Sequence, residues 1–285
     1  CLLLGNVVPF LTTQEHGRLL QISHYLRKTA SQPTMWSRVV FDCVKPCDSE
    51  GIGRLVQQLA AEAVPLVQLS LRGAQLDSLT AKCIANLVQG GDMSCLRLAG
   101  VHRVGAASMQ CPPLHQSLLH LSLASSPVVY VTSLSCCTRL QSLDLSNTKV
   151  ASIDSLSRCG ALRALNMSFT DVADIRALSH CTQLSVLCCA SSGATDITAL
   201  SSCTLLQAVD LEHCHVADIS VLSGLAGLRT LNLAWTDVED ISFLGLCKQL
   251  RSLDLRSTNI SDISTLEACW QLLGLTAGKT MVWDL

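Results

Sequence analysis

The stretch LRTLNLAWTDVEDISFLGLCKQ, residues 228–249, runs without a gap into LRSLDLRSTNISDISTLEACWQ, residues 250–271, and the two align residue for residue. Both open on LxxLxL and close on DIxxLxxC. Extending the frame in both directions aligns Leu118, Leu140, Leu162, Leu184, Leu206, Leu228, Leu250 and Leu272 at a constant spacing of 22, with no insertion. The LxL alternation marks a short strand, whose leucines turn inward while the residues between them face solvent. Beyond a turn, each row carries a second apolar triplet, such as Val172, Ile175 and Leu178. Ordering a row removes about 1–2 kcal/mol of backbone entropy per residue, more than its few apolar side chains return by burial. One row is therefore unstable alone, and the rows fold only as a stack in which each apolar layer is covered from both sides.

The bulk composition fits such an array. A chain of 285 residues exceeds the usual single-core domain, and stacking lets it grow without enlarging the core. A formal charge of -2 with 15% charged residues gives no electrostatic basis for wrapping nucleic acid or gripping an anionic membrane, and it argues against a strongly basic partner as well. Although 49% of residues are hydrophobic, polar residues interrupt every apolar run well before the ~20 residues needed to cross a bilayer. The chain starts at Cys1 inside the apolar run CLLLGNVVPFL, and its last residues TMVWDL align with TNISDI from Thr258. Both ends are therefore expected to continue into a longer protein.

Upstream, LVQLSL at Leu66–Leu71 and MSCLRL at Met93–Leu98 repeat the strand signature at longer spacing. The connections IGRLVQQLAAEAV and LTAKCIANLVQG show helical apolar spacing, and Pro112 and Pro113 mark the change to compact rows. The rows from Leu118 onward resemble the 22-residue class of leucine-rich repeats. The resemblance implies an α/β solenoid, a right-handed coil with a parallel concave sheet.

Before the first repeat stands FLTTQEHGRLLQISHYLRKTASQPTMWSRVVF, Phe10 to Phe41, with Leu19, Ile22, Leu26 and Ala30 on one helical face and Pro33 ending the run. Phe10, Leu11, Leu19, Ile22, Ala30, Ser31, Pro33, Met35 and Trp36 resemble the second and third helices of an F-box. The division expected is residues 1–38 as an F-box-like helical segment, 39–117 as longer helix-containing repeats and 118–285 as compact repeats. In F-box proteins this Trp leads straight into the first repeat strand, a place held here by Val39 and Phe41. The resemblance implies that Phe10, Leu11, Leu19, Ile22, Pro33 and Trp36 dock on a Skp-family adaptor, making the chain the substrate-recognition subunit of a Skp–cullin–F-box ubiquitin ligase. Two alternatives stay open: the segment is a helical cap sealing the first repeat, and the array is an architectural scaffold in a larger assembly.

No catalytic or cofactor chemistry is legible. The column Cys137, Cys159, Cys181, Cys203, Cys247 and Cys269, interrupted by Leu225, holds most of one pattern among 16 cysteines. Its members should stand ~5 Å apart in a line, whereas zinc needs four ligands converging at ~2.3 Å. Buried thiols in a reducing compartment, cytoplasm or nucleus, fit better, and Cys43 and Cys47 lack a second ligand pair. The recurrent Asp174, Asp196, Asp218, Asp240 and Asp262 read as caps of short helical turns rather than as a calcium ladder, with Ser152 breaking the column. GLTAGKT near the C-terminus has Leu273 where a phosphate loop needs Gly. No HExxH and no Ser, His and Asp set is brought together by the register.

An unidentified protein is the partner the array leaves. Between the inward leucines lies the column Ser122, Asp144, Asn166, Cys188, Asp210, Asn232, Asp254 and Thr276. Just beyond each strand comes Ser125, Asn147, Phe169, Ser191, His213, Trp235, Ser257 and Lys279. Phe169 and Trp235, with His213 between them, are large rings in a polar column and read either as binding anchors or as side chains folded over the strand ends. Arg229, Arg251 and Arg256 lie beside Asp210 and Asp254, where they either meet a partner or pair among themselves.

Overall fold

The leucines of each LxL pair enter the interior: Leu121, Leu143, Leu165, Leu187, Val209, Leu231 and Leu253 are buried in seven successive rows. The computed structural model describes residues 38–42, 57, 68–72, 75–76, 93–98, 102–103, 109–110 and 117–278. The F-box-like residues Phe10, Leu11, Leu19, Ile22, Pro33 and Trp36 lie outside that set, as do Pro112, Pro113, Lys279 and, apart from Gln57, both helical connections.

One parallel sheet of eleven strands carries the array. In sequence it runs through β1 (Arg38–Asp42), β2 (Gln68–Arg72), β4 (Cys95–Arg97), β7 (His120–Ser122), β9 (Ser142–Asp144), β10 (Ala164–Asn166), β11 (Val186–Cys188), β12 (Ala208–Asp210), β13 (Thr230–Asn232), β14 (Ser252–Asp254) and β15 (Gly274–Thr276). Two short pairs stand apart, β3 (Gln75–Leu76) with β5 (His102–Arg103) and β6 (Met109–Gln110) with β8 (Val128–Tyr130). Leu121 pairs with Leu143, Leu165 with Leu187, and Leu231 with Leu253, so the 22-residue frame is the sheet register itself. The longer rows join in the same frame, Leu69 to Leu96 and Leu96 to Leu121. Val39 and Phe41 pair with Leu69 and Leu71, which puts a strand directly after Trp36.

Among the described residues, the return half of each compact row is a five-residue 3₁₀ turn, as at Arg176–His180 and Ser220–Gly224. The sequence dictates this choice over an α-helix. The apolar positions Ile175, Leu178 and Cys181 recur every third residue, and only a helix with three residues per turn lines them up on the core. Asp174, Asp196, Asp218, Asp240 and Asp262 start these turns by accepting the backbone N–H two residues on, at 2.7–2.9 Å. Ser152, the break in that column, does the same with its hydroxyl, accepting from the Asp154 N–H at 3.3 Å. Those backbone donors hold the carboxyls of Asp196, Asp218 and Asp262 below their usual range.

The cysteine column is buried and linear. Each thiol from Cys159 onward that stands in the column donates to the carbonyl of the preceding row's turn: Cys159 to Leu134, Cys181 to Leu156, Cys203 to Leu178, Cys247 to Leu222 and Cys269 to Leu244, at 3.2–3.5 Å. The sulfur thus fills a narrow site and supplies a weak donor, which explains why cysteine suits it. Burial pushes the Cys181 thiol up to about 12 and those of Cys159, Cys203 and Cys247 to about 11. Among the described residues, no group of three His, Cys, Asp or Glu side chains is placed to hold a metal ion, and no helix is long and apolar enough to cross a membrane.

Candidate functional site

Two kinds of side chain build the sharp turns that end the strands, and both are present in the rows of Asp144, Asn166, Asn232 and Asp254. Asp144, Asn166, Asp210, Asn232 and Asp254 accept the backbone N–H two residues further on, at 3.0–3.1 Å. Thr148, Thr170, Thr236 and Thr258, all buried, donate their hydroxyls to the carbonyl three residues back at 2.6–2.7 Å. The chain passes through the left-handed region at the same position in seven successive compact rows: Ser125, Asn147, Phe169, Ser191, His213, Trp235 and Ser257 all have φ between 53° and 59°. Asn and Ser accommodate that conformation by local hydrogen bonding, whereas bulky side chains enter it at a cost.

The first polar column therefore has a structural role beside the recognition role expected of it. Asp144, Asn166, Asp210, Asn232 and Asp254 shape the turns, because an Asx side chain one strand residue from a bend finds a backbone donor before it finds a partner. They stay half-buried on the strand face, with an Oδ1 atom already committed. Phe169 and Trp235 do not fold over the strand ends: 62% and 49% of their surfaces are exposed. His213 is exposed as well and lies against Trp235. Of the arginines, Arg256 pairs with Asp254 at 2.7 Å, and Arg251 donates to Gln271 at 3.4 Å. Arg229 is exposed one strand over from Arg251, and it stands in the row of Trp235.

Phe169 and His213 border an open concavity of about 1170 Å³ on the strand side. Its depth is written into one row: Cys188, Ala190 and Ser191 are small, while the neighbouring rows raise Phe169 on one side and Glu212 and His213 on the other. Asn147, Asn166, Ser168 and Asp210 complete much of the lining. Glu212 was not among the candidate residues. The signal for it is a departure in the column Ala124, Ser146, Ser168, Ala190, Glu212, Ala234 and Arg256, where the occupants other than Glu212 and Arg256 are Ala or Ser. Burial pushes the Asp210 carboxyl above the ordinary carboxylate range, and the charge of Glu212 adds to the rise. Asn232, paired with Asp210 across the sheet, donates to Glu212 at 3.1 Å and moderates the rise at Asp210.

A second polar pair is sealed beneath this surface. Cys189 and Cys214 are fully buried, and the Cys189 thiol donates to the Asp210 carbonyl at 3.3 Å. The Cys214 thiol also contacts the Cys189 carbonyl at 3.0 Å.

Comparison with solved structures places the fold. The functional domain of InlJ from Listeria monocytogenes, described as including a cysteine ladder, matches with a TM-score of 0.70 at 17% identity, over 87% of this chain and 50% of that one. A leucine-rich-repeat protein of Leptospira interrogans matches at 0.64 with 19% identity, over 91% and 71%. An internalin C2 from Listeria monocytogenes matches at 0.59 with 18% identity, over 83% and 99%. No family model and no curated protein matches the sequence. The fold these likenesses define is a leucine-rich-repeat solenoid, a parallel sheet backed by a ladder of 3₁₀ turns.

Proposed function

We propose that the chain is a protein-binding module whose partner lies across the strand-side turns between Phe169 and Trp235. The carrying observation is that aromatic rings occupy a left-handed backbone position while remaining largely exposed. Such residues cost conformational energy and gain little intramolecular packing in return, and that combination concentrates at sites whose contacts are made with another molecule. The test is selection of binding peptides or proteins from a displayed library, followed by affinity measurement on a Phe169→Ser, Trp235→Ser double variant. Serine already occupies this turn position at Ser191 and Ser257, so the variant keeps the turn. Loss of at least about tenfold in affinity supports the reading, as expected for exposed aromatic anchors. Unchanged affinity for every selected binder overturns it.

A second, finer reading adds an adaptor: Phe10, Leu11, Leu19, Ile22, Pro33 and Trp36 dock a Skp-family subunit and make the array a ubiquitin-ligase substrate receptor in the cytoplasm or nucleus. What favours it is module order, since the first sheet strand begins at Arg38, two residues after Trp36. The buried thiol column suits a reducing compartment. Purified adaptor should bind the chain and lose that binding in a folded Phe10→Ala, Trp36→Ala variant. Absence of binding by the parent chain removes this reading and leaves the scaffold alternative.

A further inference from the structure

We infer that the concavity receives a cationic side chain, arginine in preference to lysine, from an extended segment of the partner protein; this rests on the strand side being the binding face. The net charge of the whole chain conceals the local imbalance. Among the residues lining the concavity stand two carboxylates, Asp210 and Glu212, and neither lysine nor arginine. Arg256, two rows on in the column of Glu212, is engaged with Asp254 in its own row and reaches Glu212 only through space. Among the described residues, the salt bridges run elsewhere, between Arg176 and Asp174, His215 and Asp237, and Arg256 and Asp254. The side-chain partner of Glu212 is a neutral amide, that of Asn232.

Two like charges at the wall of an open concavity, one of them hydrogen-bonded to an amide, attract a cation, and the neighbouring groups select among cations. Ala190 and Ser191, both small, line the concavity in the row between that of Phe169 and that of the acids. A guanidinium fits that space because its planar fork donates to two carboxylate oxygens while its face rests on an aromatic ring. An ammonium satisfies the charge without the fork or the stacking plane. The elevated Asp210 carboxyl fits the same picture, since an arriving cation offsets both its burial and its repulsion from Glu212.

The experiment uses the chain against a displayed random dodecapeptide library, retaining binders that fail on the Phe169→Ser, Trp235→Ser variant. Arginine should be enriched at one position of these binders. Replacing that arginine by citrulline, which keeps the shape and removes the charge, should weaken binding to the parent chain by about tenfold. The same replacement should matter by less than about twofold in an Asp210→Asn, Glu212→Gln variant, whose acids no longer supply charge. This variant keeps its fold: Asn already ends the strand at Asn166 and Asn232 with the same turn hydrogen bond, and Gln retains an acceptor for Asn232. Binders that need Phe169 and Trp235 but show no arginine enrichment, or that tolerate citrulline, overturn the cation inference and leave the binding face standing. If no binder depends on the two aromatics, the face itself is wrong and the inference falls with it.

Discussion

The imidazole of His213 lies flat against the indole of Trp235, with ring centroids 5.2 Å apart and planes 15° from parallel. The sheet register produces this contact, because the two residues occupy the same left-handed position in adjacent rows. Removing the imidazole in His213→Ala should expose the indole. Acrylamide quenching of the emission assigned to Trp235, by difference from Trp235→Phe, is expected to rise, with a stability loss of at most about 1 kcal/mol for an exposed aromatic pair. Equal quenching with and without the imidazole contradicts the stacked geometry.

The left-handed column predicts a gain of stability at the cost of function. Phe169→Asn replaces a strained, exposed ring by the residue that Asn147 shows to be suited to that turn. Urea unfolding should place the variant up to about 1 kcal/mol above the parent. A variant less stable than the parent means that the ring packs against its own rows and is no free anchor.

Acid should loosen the turns in a defined window. The Asp196, Asp218 and Asp262 carboxyls are held down chiefly by the backbone N–H groups of Thr198, Ser220 and Ser264, and the Arg176 side chain takes Asp174 to about 2. A folded-state value below the unfolded one contributes stability above the unfolded value of about 4, and this is lost as pH falls through the folded value. The melting temperature should therefore drop as pH is lowered from about 4 toward 2, and the penalty of Asp218→Ala, present at neutral pH, should shrink over that interval. Asp210 has the opposite sign. Its folded carboxyl is raised, so ionising it opposes folding, and Asp210→Asn should melt no lower than the parent at neutral pH.

Leu187 lies fully buried between Leu165 and Val209. Leu187→Asp adds an uncompensated charge to the loss of a buried leucine, which alone costs about 2–5 kcal/mol. Since each row is covered only by its neighbours, hydrogen-exchange protection should fall in the strands Ala164–Asn166 and Ala208–Asp210 as well as in the mutated one. Retained protection in both neighbours contradicts the layered packing.

The rows from Leu118 were legible in the sequence because a strict interval of 22 fixes register, strand and core together. Asp174 and its equivalents were legible as caps for the same reason: each precedes an apolar triplet at a helix start. Asp144 and Asp210 were harder to read. A polar residue between two inward leucines looks the same whether its oxygen meets a backbone N–H two residues on or a partner, and the periodicity carries no information about that choice. The concavity was hidden because it is a difference in volume between rows. Cys188, Ala190 and Ser191 are unremarkable alone, and they become a notch only beside Phe169 and Glu212. The exposure of Phe169 and Trp235 likewise depended on the left-handed φ, which the column of Ser and Asn suggests only once the turn is known.

The sheet also acts as a vernier against any extended chain laid across it. Neighbouring rows are ~4.8 Å apart, so Phe169 and Trp235, three rows apart, are separated by about 14 Å, while four residues of extended chain advance about 13 Å. The two scales coincide at that interval. Side chains i and i+4 of such a segment fall on the same side and arrive over the two aromatics together, with residue i+2 pointing to the same side midway between them. Midway lie Cys188 and Asp210, the rows of the notch. For the partner proposed above, this spacing would mean recognition in triplets of alternate residues, the central side chain facing the acids and the flanking pair resting on the rings.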